Sequence, residues 1–152
     1  MFKKILVGYD GSKGGKAALR QAAAIAREAG AEIAALWVRE PLPRYTDLPG
    51  EPEETQEAAD EYFKERRKEI EDAVAQHGIP IRCETRHGHP AKTILRFADE
   101  GGYDLIVIGH SDHSELWGRL LGDTADRISD HAHCSVLIVK QLTNCEIKPY
   151  RC

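Results

Sequence analysis

Hydrophobic positions along this chain fall into short apolar runs separated by longer segments with helical spacing. Lys4 to Tyr9, Ile33 to Val38, Tyr103 to Gly109 and Ser135 to Lys140 are runs of the first kind. They are rich in Ile, Val and Leu without polar alternation, as in strands covered on both faces of a parallel sheet. Ile79 to Arg86 differs, because Ile79, Ile81, Cys83 and Thr85 alternate with Arg82, Glu84 and Arg86. One apolar and one charged face predict an edge strand.

Between the strands the spacing turns helical. From Lys13 to Ala29 the small residues Ala17, Ala18, Ala22, Ala23, Ala24 and Ala26, with Ile25, let a helix lie close to a sheet. Ser12 is a good N-cap and Gly30 a stop. Arg39 to Pro52 reads as a loop, since Pro41, Pro43, Pro49 and Pro52 continue neither neighbour. A charged amphipathic helix is predicted from Glu53 to His77, with Ala58, Ala59, Tyr62, Phe63, Ile70, Ala73 and Val74 as its apolar positions and Gly78 as its cap. Gly88-His89-Pro90 opens a third helix that buries Ala91, Ile94, Leu95 and Ala98. A fourth runs from Thr124 to His131 and buries Ala125, Ile128 and Ala132. Strands alternating with helices call for an α/β fold, a doubly wound five-stranded parallel sheet with helices on both faces and right-handed crossovers.

The stretch from Tyr103 to Thr124 combines a buried strand, Gly109, a polar loop, Gly122 and a helix start. That arrangement presents backbone N–H groups to an anion. Its spacing, Gly109, two residues, Asp112, nine residues, Gly122 and Asp123, resembles the nucleotide loop of the universal stress protein family. In the family's ATP-binding branch the pattern is Gly, two residues, Gly, nine residues, Gly, then Ser or Thr. Asp112 stands at the second glycine and Asp123 at the hydroxyl. The resemblance runs from Met1 to Lys140 through FKKILVGYDGS, LWV, GHPAKTIL and HCSVLIVK.

The resemblance implies the adenine nucleotide alpha hydrolase-like, Rossmann-like fold with strand order 3-2-1-4-5. Its reversal lies between strands one and four, so the loops after Asp10 and Gly109 flank one crevice. It implies that Asp10 helps hold the nucleoside part of ATP and that the backbone of Val38 meets adenine. The candidate binding residues are therefore Asp10, Val38, Gly109, Asp112, Gly122, Asp123 and Thr124. Asp10 also suits a turn in which its carboxylate bonds its own backbone at Gly11-Ser12, and Val38 suits plain core. The family further implies a homodimer through strand five, Val136, Leu137, Ile138 and Val139, whose apolar edge is an aggregation hazard if bare. The tail after Gln141 is the alternative cover.

Charge argues against a triphosphate. Asp112 adds a carboxylate beside the phosphates, and Asp123 at a helix N-terminus fills the place an anion takes. Between His110 and Asp123 the acids Asp112, Glu115 and Asp123 outnumber Arg119. A like-charge contact at about 4 Å costs on the order of 4 kcal/mol at an effective dielectric near 20, before relaxation. Three outcomes stay open: an empty or weak site, AMP held by its adenosine half, or ATP bridged by a divalent metal such as Mg. They are preferred in that order. The preferred reading is a non-enzymatic stress-response or regulatory homodimer with a degraded ATP-binding loop. The alternative is an AMP or ATP sensor that passes occupancy of the crevice to an unknown protein partner.

At 152 residues and 41% hydrophobic content, the chain suits one domain, residues 1–140, followed by a tail over 141–152. With a formal charge of −4 and no basic stripe, nucleic acid is not the expected partner. No apolar run approaches the roughly 18 residues of a membrane span, and Met1-Phe2-Lys3-Lys4 leads into a strand, so a cytoplasmic protein is expected. Cys83, Cys134, Cys145 and Cys152 form no C-x2-C pair. The first two read as small core residues; the last two read as free thiols of a tail, or a clip within it or across a dimer.

His87 with His89, His110 with His113, and His131 with His133 fit no metal-ligand spacing, and none is assigned. DGSKGG lacks the G-x4-G-K-[ST] spacing of a phosphate loop. It also does not supply the SGG-x-DS loop of adenylating α/β enzymes. Ser111, Ser114 and Thr124 lie near histidines, but no G-x-S-x-G elbow or activated nucleophile occurs, so no enzyme is expected.

Overall fold

The computed structural model describes residues 1–40, 52–110 and 123–140. Its elements are β1 (Lys4–Gly8), α1 (Lys13–Ala29), β2 (Glu32–Arg39), α2 (Pro52–Ala75), β3 (Ile81–His87), α3 (Pro90–Gly101), β4 (Leu105–Gly109), α4 (Asp123–His131) and β5 (Ser135–Val139). The strands form one parallel sheet in the order β3-β2-β1-β4-β5. This is the expected doubly wound architecture, with the alternating strand β3 at an edge.

The pleat sorts the strand residues into two cores. Ile5 and Val7 of β1, Ile33 and Ala35 of β2, and Leu105 and Val107 of β4 face α1 and α2, where they meet Ala18, Leu19, Ala22, Ala23, Ala26, Ile70 and Val74. Leu6, Ala34, Leu36, Ile106 and Ile108 face α3 and α4, against Ala91, Ile94, Ala98, Ala125 and Ile128. Both faces of β1, β2 and β4 are thus covered, which is why their sequences carry no polar alternation. The alanines of α1 bring its axis close to the sheet, and Gly30 ends the helix in the left-handed region at φ 64°.

Three element starts differ from the sequence reading, as does the burial along α2. Pro52 opens α2 instead of closing the loop before it, because the first helical position needs no N–H donor. β3 starts at Ile81 rather than Ile79, since Pro80 has no N–H to give the ladder. β4 starts at Leu105 rather than Tyr103. The Tyr103 N–H is spent on Ala98 O at the end of α3, and the Asp104 carboxylate accepts from the N–H groups of Lys3 and Lys4 at 2.8 and 3.0 Å. In α2 the apolar stripe buries only its C-terminal half. Ile70 and Val74 are buried, whereas Ala58 is exposed and Tyr62 is 40% exposed. Tyr62 and Phe63 cover Trp37 of β2, at centroid distances of 5.1 and 5.9 Å.

Among the described residues no helix is long and apolar enough to cross a membrane. Cys83 and Cys134 are free thiols, half-buried against the two cores. Cys145, Cys152 and the tail lie outside the described residues.

Candidate functional site

The sheet order places β1 beside β4 while their helices leave toward opposite faces, which opens a crevice at the carboxyl ends of the strands. A cavity of about 350 Å³ occupies it. Its floor is the ends of three strands: Gly8 of β1, Leu36 and Val38 of β2, and Ile108 and Gly109 of β4. The turn from Tyr9 to Ser12, Pro90 and Ile94 of α3, and Thr124 and Ala125 of α4 form the walls.

Glycines make this crevice. A Cβ on Gly109 would lie 2.2 Å from the carbonyl carbon of Gly14, and one on Gly14 would lie 2.6 Å from the carbonyl oxygen of His110. The first turn of α1 therefore rests backbone to backbone on the end of β4. A Cβ on Gly15 would stand 2.7 Å from Asp10 Oδ1. DGSKGG is thus a close-packing device in which the glycines at 14 and 15 admit β4 on one side and the Asp10 carboxylate on the other.

Asp10 does the turn-forming work that its sequence position allows. Its Oδ1 accepts from the Ser12 N–H at 2.9 Å and from Ser12 Oγ at 2.5 Å, and Ser12 Oγ in turn accepts from the Gly15 N–H at 3.0 Å. This chain fixes the start of α1 and holds the carboxylate at the cavity wall. Tyr9, buried beneath the same turn, has its phenol pushed up by burial and then by Glu69. Asp10 and Glu40 are the acids of the lining, and no lysine or arginine is among the described lining residues. The described walls are otherwise apolar or uncharged, with Ser12 and Thr124 as hydroxyl edges and His110 just past the end of β4.

Four candidate residues from the sequence, Asp10, Val38, Gly109 and Thr124, line this one cavity. Asp123 is the first residue of α4, immediately before Thr124. Its side chain, and all of Asp112 and Gly122, lie outside the described residues, as do His113, Glu115 and Arg119. Among the described residues no three His, Cys, Asp or Glu side chains converge as metal ligands would. His131 Nδ1 meets the Arg127 carbonyl and His133 Nδ1 meets Asp99, while His87 and His89 line a separate hollow.

Sequence reasoning did not find Gly8, Leu36, Glu40, Pro90, Ile94, Ile108 and His110 as lining residues. Most of them lie at or just beyond a strand end or at a helix start, whereas Leu36 lies within β2 and Ile94 one turn into α3. Strand-end position was therefore an available signal, although the residue types carried none.

The model of the Universal stress protein family matches residues 1–140. The chain belongs to this family. A universal stress protein of Methanocaldococcus jannaschii is 36% identical over 143 residues, which cover 93% of this chain and 84% of that protein. Two solved structures share the fold at 23% identity. One is a universal stress protein in complex with cAMP, with a TM-score of 0.73 over 91% of this chain and 97% of that one. The other is the Archaeoglobus fulgidus universal stress protein in complex with dAMP, with a TM-score of 0.66 over 91% and 98%.

Proposed function

We propose that this universal stress protein is a non-enzymatic regulatory module, a cytoplasmic homodimer whose crevice takes an adenine nucleotide carrying a single phosphate in preference to ATP. The observation that carries the reading is the cavity of about 350 Å³ at the switch point, with Asp10, Val38 and Thr124 in its walls and no lysine or arginine among its described lining. That volume lies within the range of small-molecule sites. The backbone at Val38 and the carboxylate of Asp10 provide polar edges for a nucleoside. A triphosphate needs donors and positive charge where the sequence sets Asp112 and Asp123.

The fold neighbours that hold cAMP and dAMP support a ligand of this size, since each of those molecules is an adenine nucleotide with one phosphate. An empty crevice, the first preference from sequence alone, gives way in this reading because the described residues enclose a cavity of ligand size. Activity as a hydrolase has no activated nucleophile to rest on. Regulation then consists of presenting an occupied or empty crevice to a partner protein.

The two aspartates give the test. Replacing them together, Asp112→Gly with Asp123→Ser, removes two carboxylates from the phosphate path and restores the family pattern. The account predicts that ATP affinity, measured by calorimetric titration, rises by about tenfold or more while AMP affinity changes less, since one relieved charge contact is worth more than 1.4 kcal/mol. An unchanged ATP affinity contradicts the proposed role of these residues.

A further inference from the structure

A second cavity lies on the outer side of α3, away from the crevice. It measures about 270 Å³ and is walled by Arg86, His87 and Gly88 at the end of β3, and by His89, Lys92, Thr93, Arg96, Phe97 and Glu100 along α3. In a chain whose formal charge is −4, this hollow gathers two guanidinium groups, one ammonium and two imidazoles around a single carboxylate. Nothing in the nucleotide reading uses it.

Two of the cations, Lys92 and Arg96, are not placed there by ion pairing. Lys92 and Arg96 are separated by one helical turn on α3, a like-charge spacing that disfavours the helix. Among the described residues neither meets an acid within ion-pair distance. Arg86 is the partnered member. Its Nη1 reaches Glu84 Oε2 at 3.2 Å and the Thr85 carbonyl at 2.8 Å, and its guanidinium sits 5.1 Å from the Phe97 ring centre. Packing against Phe97 holds one wall of the cavity in place. His89, at the start of α3, is itself approached by Arg127 of α4, whose Nη1 lies 3.5 Å from His89 Nε2. Gly88, at φ 140°, forms the corner, and a Cβ there would press to 2.9 Å from Thr93 Oγ1.

We infer that this basic cavity is an anion site for a phosphate group, either inorganic phosphate or the head of a small phosphate monoester. A compact dianion relieves the Lys92–Arg96 repulsion and matches guanidinium donors in a way that a monovalent halide does not. A hollow of about 270 Å³ leaves room for a short organic body beside the phosphate. The site is independent of the crevice, whose lining shares none of these side chains.

The test follows backbone amide resonances of residues 86–97 by nuclear magnetic resonance in the full chain, during titration with sodium phosphate and separately with glycerol phosphate, at constant ionic strength in chloride. The inference predicts saturable shifts in this segment with a dissociation constant on the order of 1 mM. Arg96→Ala is expected to weaken binding by about tenfold, with Arg96→Lys, which keeps the charge but not the guanidinium fork, restoring only part of it. Tighter binding of glycerol phosphate identifies a monoester as the ligand; equal binding identifies phosphate itself. Shifts that chloride reproduces, that fail to saturate, or that survive the joint substitution Lys92→Ala with Arg96→Ala overturn the inference. Both residues are exposed, so folding is unaffected by their loss. An Asp10→Ala variant keeps the phosphate shifts whether or not the crevice takes a nucleotide, so failure of one reading is distinguishable from failure of the other.

Discussion

Gly109 shows how much a single missing side chain can carry. It was legible as a loop glycine from its spacing to Gly122, yet the structure gives it a second duty, contact with the backbone of Gly14 across the crevice floor. That duty was not legible because the partner lies far away in sequence and a glycine leaves no hydrophobic signal. The Cβ of Gly109→Ala meets backbone, which cannot rotate aside. The substitution is therefore expected to destabilise the fold by about 2 kcal/mol or more, read from the urea midpoint; a loss below about 0.5 kcal/mol contradicts the close packing. Cys83 makes a second prediction at this scale. Burial, and then Glu71, push its thiol up to about 11 from an ordinary value of 9.0. Below pH 9 the thiol is protonated in both folded and unfolded chains and its contribution is complete. Between about 9 and 11 only the unfolded chain loses the proton, so stability falls as pH rises. Tyr9 and Tyr103 are also pushed up by burial, so the part due to the thiol is the difference in alkaline slope between the parent and Cys83→Ala.

Among the elements, the sequence was most informative where one residue type has one physical use. Ser12 caps α1 through the Gly15 N–H, Gly30 closes it with positive φ, and the unbroken apolar runs of β1, β2 and β4 are the strands covered on both faces. The helix of α2 was legible, but not what its first half covers, because Tyr62 and Phe63 pack on Trp37, a β2 residue whose position no local pattern reveals. Strand β5 carries the oligomer proposal. It ends the sheet next to β4, and Val136 to Val139 are half-buried. The outer edge of such a strand offers unpaired N–H and C=O groups to another strand. Light scattering at micromolar concentration is expected to give twice the chain mass; a monomer mass removes the homodimer from the account.

At the level of the whole molecule, the fold was legible because alternating strands and helices leave few topologies, and the family resemblance supplied the strand order. The crevice was legible in part. Asp10, Val38, Gly109 and Thr124 meet around one cavity, whereas Glu40, Pro90 and Ile94 reach it only through crossovers that bring strand ends together. Its charge was the harder property, since a cavity without lysine or arginine among its described lining is a fact of the assembled fold. That property, joined to Asp112 and Asp123 in the sequence, leads to the claim that one phosphate is accepted and three are resisted.

The most direct test is calorimetric titration of the full chain with AMP, ADP and ATP, each with and without magnesium. The account predicts saturation by AMP with a dissociation constant below about 100 µM, roughly −5.5 kcal/mol, and affinity that weakens as phosphates are added. No heat with AMP, or ATP binding tightest of the three, contradicts it.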